Sequence, residues 1–146
     1  MSITLSLRAQ REAIAIANAN PEHDAISFTS SLNGQTITLG GTELLVQGDV
    51  TINGPGASLL SVTGNHASRV FNIASGANVT ISGLTIKDGQ SSVYGGGVYN
   101  AGTLAISNST ISGNTATVYG GGLYSIGSVT LTNSTISGNT ATSFGG

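Results

Sequence analysis

The sequence contains no cysteine, no tryptophan, only two prolines and very little charge. Without cysteine the chain can form neither a disulfide nor a thiolate metal site, so redox chemistry does not indicate its compartment. Charged residues make up 7%, against about a quarter in average globular proteins. The net charge of −2 gives no electrostatic basis for binding nucleic acid or an anionic membrane. No apolar run reaches the about 18 residues that a transmembrane helix needs.

Aspartate, glutamate, lysine, arginine and histidine are missing altogether from Gly89 to Gly146. General acid–base catalysis and carboxylate cation sites therefore cannot be built from that range. Upstream, Arg69, Lys87 and Asp88 fall within one repeat unit, and we interpret them as surface charges at a turn. The two histidines stand far apart, without a partner at ligand spacing. We predict no catalytic residue, no metal site, no cofactor and no enzymatic activity.

The residues that are abundant favour short strands and tight turns. Glycine, serine, threonine and asparagine are frequent, 38% of the residues are apolar, and the mean hydropathy is +0.21. Disorder requires low hydrophobicity as well as a polar composition. The chain is therefore expected to fold, with a surface of hydroxyls and amides in place of charges.

Two consecutive stretches of 25 residues are near copies of each other. Tyr94–Val118 and Tyr119–Ser143 are identical at 16 of 25 positions, and the unit restarts at Phe144–Gly146. A degraded copy occupies Arg69–Val93. A period in the twenties is typical of a solenoid, in which each unit buries its apolar face against its neighbours.

Each unit contains three short segments in which inward apolar residues alternate with outward serine or threonine. In the degraded copy, Val70-Phe71-Asn72 matches Val98-Tyr99-Asn100, and further upstream Thr63–Ala67 matches Ser112–Ala116. Three strands per 25 residues is the rung of a parallel β-helix. We therefore predict an all-β fold, with a parallel β-helix of about five rungs over residues 25–146, at about 4.8 Å per rung.

Residues 1–24 differ from the repeats and predict a cap over the first rung. A helix is expected at about residues 6–20, with Ser6 as its N-cap and Asn20-Pro21 at its end. Its apolar stripe consists of Ala9, Ala13, Ile16 and Ala17. A solenoid needs such a cap because its first rung otherwise exposes apolar core and unpaired backbone groups.

Motifs in the cap and in the repeats follow a common pattern. In the cap they are Ser6-Leu7-Arg8, Arg11-Glu12-Ala13-Ile14, Asn18-Ala19-Asn20-Pro21 and Ile26-Ser27-Phe28. In the repeats they are Thr51–Gly56, Val79–Ile86 and the Gly-Gly-Gly-Val-Tyr-Asn and Asn-Ser-Thr-Ile-Ser-Gly-Asn-Thr-Ala segments. Together they resemble bacterial right-handed parallel β-helix repeat proteins over essentially the whole chain. The resemblance implies a right-handed coil.

The same resemblance implies an exported or surface-attached protein, similar to polymorphic outer-membrane and adhesin-like passengers. We therefore expect an extracellular or cell-surface location. Met1–Leu7 lacks the basic and apolar regions of a secretion signal, and the last unit stops after three residues. We expect this chain to be a segment of a longer exported protein. Pectate-lyase-like polysaccharide enzymes share the fold, which leaves function open.

Asparagine recurs at two corners of the repeat. Asn65, Asn114 and Asn139 occupy one corner, and Asn108 and Asn133 the other. Because equal positions stack in successive rungs, we predict a structural amide ladder, in which each hydrogen bond contributes about 0.5–1.5 kcal/mol. Asn108 and Asn133 also begin Asn-Ser-Thr sequons, but we expect the structural role.

Aromatic residues form two predicted columns. One contains Tyr94, Tyr119 and Phe144, and the other contains Phe71, Tyr99 and Tyr124. Such columns most often pack, and each offset-stacked pair adds about 0.5–1.5 kcal/mol. The alternative is a platform for sugar rings made by Tyr94, Tyr99, Tyr119 and Tyr124.

A flat hydroxyl array is a further, minor alternative. Thr115-Ala116-Thr117 and Thr140-Ala141-Thr142 place outward threonine pairs on adjacent rungs, as ice-binding solenoids do. Only two rungs carry the pattern, because His66-Ala67-Ser68 and Gln90-Ser91-Ser92 interrupt it.

The final rung carries apolar residues and is followed by no covering segment. Its predicted self-association face consists of Val129, Leu131, Ile136 and Phe144. An open strand edge pairs readily with another chain, and we expect a tail-to-tail dimer ahead of a head-to-tail fibre. The sequence thus favours a non-enzymatic structural or adhesion module of an exported bacterial β-helix protein. The alternative is a polysaccharide-binding or degenerate lyase-like β-helix.

Overall fold

The computed structural model describes residues 2–5 and 10–146. The predicted N-cap Ser6 and stripe residue Ala9 lie outside the described residues. The helix α1 is Gln10–Ala19, and a single 3-10 turn is Ser30–Leu32. All other regular structure in the described part is β-strand, arranged in four sheets.

The strands stack into three long walls and one short wall. Sheet A contains β1 (Ser2–Leu5), β2 (Asp24–Phe28), β5 (Val50–Asn53), β8 (Asn78–Ser82), β12 (Thr103–Ser107) and β16 (Ser128–Thr132). Sheet B contains β3 (Gln35–Thr38), β6 (Leu60–Thr63), β9 (Thr85–Lys87), β13 (Thr110–Ser112) and β17 (Thr135–Ser137). Sheet C contains β4 (Leu44–Val46), β7 (Phe71–Ile73), β11 (Val98–Asn100) and β15 (Leu123–Ser125). Sheet D contains β10 (Gln90–Ser91), β14 (Thr115–Ala116) and β18 (Thr140–Ala141).

All neighbouring strands in the four sheets are parallel, and the chain passes from sheet A to B to C once per turn. The predicted all-β solenoid of about five turns with a helix near its N-terminus is confirmed. The right-handed coil stays a prediction.

The 25-residue repeat sets the register of the later turns. Leu104 lies beside Val129 and Thr110 beside Thr135, each pair separated by one repeat. Aliphatic residues of sheet A form one continuous interior column, and in β2, β5, β8 and β12 this column is buried. Its four buried members are Ile26, Ile52, Ile81 and Ile106. Full burial of each such side chain stabilises the fold by about 1.5–3 kcal/mol.

The predicted alignment around Phe71 is wrong by one residue. Phe71 lies beside Val98, which leaves Asn72 beside Tyr99. Side chains alternate along a strand, so a shift of one residue exchanges the inner and outer faces. Phe71 is therefore buried at 1% exposure and fills the core instead of joining an outer aromatic column with Tyr99 and Tyr124.

Strand β1 was not predicted. It precedes the helix and pairs in parallel with β2, so that Ile3 lies beside Ile26 and Thr4 beside Ser27. Sheet A therefore has one more strand than the about five turns of the solenoid provide. The first turn is covered by both a strand and a helix.

Helix α1 covers the outer edge of β4, the first strand of sheet C. Arg11 donates from Nη2 to the carbonyl oxygen of Thr42 at 2.7 Å and from Nη1 to that of Glu43 at 3.0 Å. Asn18 Nδ2 donates to the Leu45 carbonyl oxygen at 2.9 Å, and Asn18 Oδ1 accepts from the Gln47 N–H at 2.7 Å. These side chains take the place of a neighbouring strand and protect the edge from pairing.

The buried face of α1 differs from the predicted stripe. Ala13, Ile14 and Ala17 are buried, while Ile16 is 47% exposed. Including Ile16 in the stripe was wrong, because the helix turns Ile14 toward the core in its place. The helix ends at Ala19, and Asn20 then donates to both carboxylate oxygens of the buried Asp24 at 3.1 and 3.3 Å.

Candidate functional site: side-chain ladders and the last turn

Two of the predicted corner asparagines form an inward ladder. Asn114 is buried, and its Nδ2 donates to Asn139 Oδ1 at 2.9 Å and to the Ile86 carbonyl oxygen at 3.1 Å. Asn114 Oδ1 accepts from the Gly89 N–H at 2.8 Å. Asn139 repeats the contact one turn later, since its Nδ2 donates to the Ile111 carbonyl oxygen at 2.9 Å. Each amide thus pairs backbone groups that the corner would otherwise leave buried and unsatisfied.

Asn65 does not belong to this ladder. It is exposed with φ +52, and its backbone N–H donates to Thr63 Oγ1 at 3.0 Å. The strand register places Gly89 between Asn65 and Asn114, so no side chain links the two turns. The predicted ladder is therefore two asparagines long.

Asn108 and Asn133 lie at the other corner with positive φ of 49° and 47°, a conformation that asparagine tolerates. Both side chains are exposed. The inward hydrogen bonds come from the next residue: Ser109 Oγ donates to the Ser107 carbonyl oxygen at 2.8 Å and accepts from the Leu84 N–H at 3.3 Å. The serine ladder was missed, although serine follows asparagine in both copies of the repeat.

Asn100 is a further buried amide that the sequence did not single out. Its Nδ2 donates to Ser125 Oγ and to the Ser128 carbonyl oxygen, both at 2.9 Å. Its Oδ1 accepts from the Gly102 N–H at 3.1 Å. Serine stands at position 125 in the following unit, so this corner changes from amide to hydroxyl between adjacent turns.

The triple-glycine segments are explained by the asparagine ladder. A Cβ at Gly97 would lie 2.9 Å from Cγ and Nδ2 of Asn114 and 2.6 Å from the Gly122 carbonyl oxygen. Gly122 stands in the same relation to Asn139, at 2.7 Å from Nδ2. A side chain at these positions would displace the buried amide. The segments therefore have a packing role and no phosphate-loop chemistry.

The outer aromatic rings form a single stacked ladder. Ring centroids are 6.0 Å apart for Tyr99 and Tyr124, 4.7 Å for Tyr124 and Tyr94, and 5.7 Å for Tyr94 and Tyr119. Phe144 stacks on Tyr119 at 5.1 Å. Most ring faces are covered by other rings, so the ladder presents mainly edges to solvent. Phe144, at the end, is 64% exposed.

The upstream end of the ladder is closed by Arg69. Its guanidinium lies 5.3 Å from the Tyr99 ring centroid and forms an ion pair with Glu43. The same group donates to the carbonyl oxygens of Gly95 at 2.8 Å and Tyr94 at 2.7 Å. Asn72 Nδ2 donates to the other Glu43 oxygen at 2.8 Å. Neither Lys87 nor Asp88 is among these partners of Arg69, so the three charges of that repeat do not form one cluster.

An open groove of about 570 Å³ lies beside the Arg69–Glu43 pair. Its walls are polar and come from three successive turns. Besides Arg69 and Glu43, the polar residues that line the groove are Thr42, His66, Ser68, Gln90, Ser91 and Ser92. The Ser68 hydroxyl is buried and lacks a hydrogen-bond partner. No group of three or more histidine, aspartate or glutamate side chains that could hold a metal was found in the described part.

The arrays of hydroxyl side chains in the structure differ from the threonine array that the sequence predicts. In sheet D the threonines of β14 and β18 lie beside each other, but Gln90 lies next to Thr115 and ends the array after two strands. Sheet B carries a longer column across all five strands, which sequence reasoning missed. Its members are Thr36, Ser61, Thr85, Thr110 and Thr135.

The last turn leaves core-type side chains exposed. Val129 is 37% exposed, Leu131 42% and Ile136 43%, whereas their neighbours one turn earlier are buried. Those neighbours are Leu104, Ile106 and Ile111. Residues of β16 and β17 thus have a neighbouring strand on one side only within the described chain.

The described helix α1 is not long and apolar enough to cross a membrane. Comparison with protein-family models, curated proteins and solved structures gave no match for this chain.

Proposed function

We propose that this chain is a non-enzymatic structural or adhesion module of an exported bacterial β-solenoid protein, and that it self-associates through its last turn. The observation that carries the proposal is the apolar exposure of Val129, Leu131, Ile136 and Phe144 in that turn. The side chains of Val129, Leu131 and Ile136 continue columns that are buried in the preceding turns, and Phe144 ends the outer aromatic ladder. We propose that a second copy of this chain covers these side chains.

Three physical features support association of copies. Strands with one unpaired edge offer a row of backbone N–H and C=O groups to another strand. Burial of apolar surface contributes about 25 cal/mol per Å², and the four side chains share one end of the molecule. No charged residue lies between Gly89 and Gly146 to oppose the approach.

The walls of the solenoid support a structural role. Their outward residues are mainly serine, threonine and asparagine, and Arg69 and Glu43 are held by hydrogen bonds within the fold. These features suit a rigid spacer or adhesive stalk. The surface location rests on the family resemblance, and the reading frame that encodes this chain tests it: we expect an export signal.

Sedimentation velocity at micromolar concentration tests self-association. We expect the chain to sediment with concentration-dependent mass and Leu131→Lys to sediment as a monomer. Thr130→Lys is the matched control, because it adds the same charge to the outer face of the same strand. It should associate like the parent. A parent that stays monomeric, with no response to Leu131→Lys, would contradict the proposal.

Polysaccharide binding is the second candidate, and the polar groove beside the aromatic ladder favours it. Sugar recognition there would use hydrogen bonds from Gln90, Ser91 and Ser92, beside the Arg69 guanidinium that lies against the Tyr99 ring. Affinity electrophoresis in pectin or alginate gels tests it. Retardation that Gln90→Ala reduces and Asn78→Ala, on an exposed site of sheet A, leaves unchanged would support this function. Turnover of either polymer, abolished by a chelator, would overturn the non-enzymatic assignment.

A further inference from the structure

The polar groove of about 570 Å³ offers hydrogen-bonding side chains from three successive turns of the solenoid. Thr42 comes from the first turn, His66 from the second, and Gln90 and Ser92 from the third. All four are exposed, and within the part of the chain that the structure describes none of their side chains has a hydrogen-bond partner. Successive turns lie about 4.8 Å apart, so these groups line a path of about 10 Å along the solenoid axis.

The charged groups of the groove neutralise each other. Arg69 and Glu43 are, among the described residues, the only arginine, lysine, aspartate or glutamate side chains that line it. Four of the five N–H groups of Arg69 donate to partners within the fold, which are Glu43, Ser91 Oγ and the carbonyl oxygens of Tyr94 and Gly95. An acidic ligand in the groove would meet the Glu43 carboxylate, and such a like charge disfavours binding. The groove therefore favours an uncharged ligand.

Recognition in the groove depends on hydroxyl groups and not on ring stacking. No tyrosine or phenylalanine is among the described residues that line it, and the Arg69 guanidinium, 5.3 Å from the ring centroid, covers the Tyr99 ring beside it. The Ser68 hydroxyl in the groove wall is buried without a hydrogen-bond partner in the described chain. Such groups are rare in native folds. A ligand rich in hydroxyls, which both donate and accept, suits these side chains.

We propose that this groove binds a segment of a neutral polysaccharide, which lies along the solenoid axis across the three turns. The inference deepens the second candidate function, polysaccharide binding, and rests on it. It adds Thr42 and His66 to the residues that contact the ligand. It also names the class of ligand: uncharged sugar chains are preferred, and uronate chains are disfavoured by Glu43.

Affinity electrophoresis in matched gels tests the preference for uncharged chains. Hydroxyethyl cellulose, galactomannan and dextran are the neutral probes, and alginate and polygalacturonate are the acidic probes. We expect retardation in at least one neutral gel, with an apparent affinity about tenfold higher than in either acidic gel. Equal or stronger binding in the acidic gels would overturn the inference and leave polysaccharide binding standing. No retardation in any gel would overturn both.

Glu43→Gln tests whether the paired charges set this preference. The variant keeps the size of the side chain and leaves the charge of Arg69 unopposed, so the affinity for alginate should rise several-fold. Glu22→Gln is the matched control, because Glu22 is exposed outside the groove and its replacement changes the net charge equally. Mobility in a gel without polymer corrects for that charge, and far-UV circular dichroism checks folding. Equal alginate affinities of the two variants would show that the pair does not set the ligand class.

Alanine variants at the two ends of the groove test whether the ligand spans three turns. Thr42→Ala and Ser92→Ala each remove an exposed hydroxyl without a partner in the described chain, so the midpoint of thermal unfolding should stay near that of the parent. Each should weaken binding in the neutral gel several-fold, the loss expected for one hydrogen bond. Thr103→Ala, at an exposed position of sheet A, is the control and should bind like the parent. A loss confined to one end, or to neither, would contradict a ligand that crosses all three turns.

Discussion

Single side chains at the corners decide whether the buried backbone N–H and C=O groups of each turn have hydrogen-bond partners. Asn114 links its own turn to the preceding one through Ile86 and Gly89 and to the following one through Asn139. Asn108, in a position that looks equally regular in the sequence, contributes a backbone conformation and an exposed side chain. Two asparagines of one repeat thus have different physical roles, which composition alone does not distinguish.

Replacing Asn114 by alanine removes three hydrogen bonds from a buried corner. The Gly89 N–H and the Ile86 carbonyl oxygen lose their partner, and an unsatisfied buried polar group costs about 1–3 kcal/mol. We expect the free energy of unfolding, measured by urea denaturation, to fall by at least about 1 kcal/mol. Asn78→Ala is the control on an exposed strand position and should stay near the parent. Equal midpoints for the two variants would show that the amide ladder is dispensable.

Gly97→Ala tests the close approach of the backbone to that ladder. The added Cβ would meet the Gly122 carbonyl oxygen at 2.6 Å and the Asn114 amide at 2.9 Å, so the corner must open. Overpacking of this kind costs about 1–3 kcal/mol. Gly40→Ala is the matched control, because a Cβ added at Gly40 would have no neighbour within 4 Å and the φ of Gly40 is not positive. The midpoint of thermal unfolding should fall for Gly97→Ala alone, and unchanged stability would contradict the packing role of the triple glycine.

At the scale of elements, the first turn is protected by two different devices. Strand β1 extends sheet A, and helix α1 blocks the edge of β4 with Arg11 and Asn18. The helix therefore protects this edge through side-chain hydrogen bonds that replace those of a neighbouring strand, as well as through its apolar face. The outer aromatic ladder is a second such element-level feature, because residues from sheet C and from the corner before it interleave their rings.

Asn18→Ala should open the edge of β4 without unfolding the solenoid. The Gln47 N–H loses its acceptor, and hydrogen exchange at this amide should accelerate more than exchange at amides of β8 or β12. Glu12→Ala removes an exposed side chain of the same helix and serves as the control. Uniform acceleration throughout the chain would mean that Asn18 stabilises the whole fold instead of this edge.

At the scale of the whole molecule, charge is concentrated before Gly89 and apolar exposure lies mainly at the far end. The stabilising contacts run between neighbouring turns, so stability is close to a sum over turns and their interfaces. The last turn has one such interface and should be the first to open. The proposed self-association would supply the second interface.

Self-association should respond to the kind of salt and not to charge screening. Because the proposed tail surface carries no charged residue, sodium chloride should change the association constant little. Ammonium sulfate should strengthen association, since it is excluded from apolar surface. Sedimentation equilibrium in matched buffers measures both. A steep loss of association in sodium chloride would indicate an ionic interface in place of the apolar one.

The repeat in the sequence determined the architecture, because residues 25 positions apart must occupy equal places in successive parallel turns. The repeat also predicted which residues of the last three turns face the interior, and that Asn114 and Asn139 lie next to each other. Tertiary structure alone decided the rest. The partner of β1 is remote in sequence, and the spacing of 27 residues between Phe71 and Val98 departs from the repeat, which shifts Phe71 into the core. The rings merge into one ladder because their stacking depends on how corner and strand side chains meet in space, which a period along the chain does not contain.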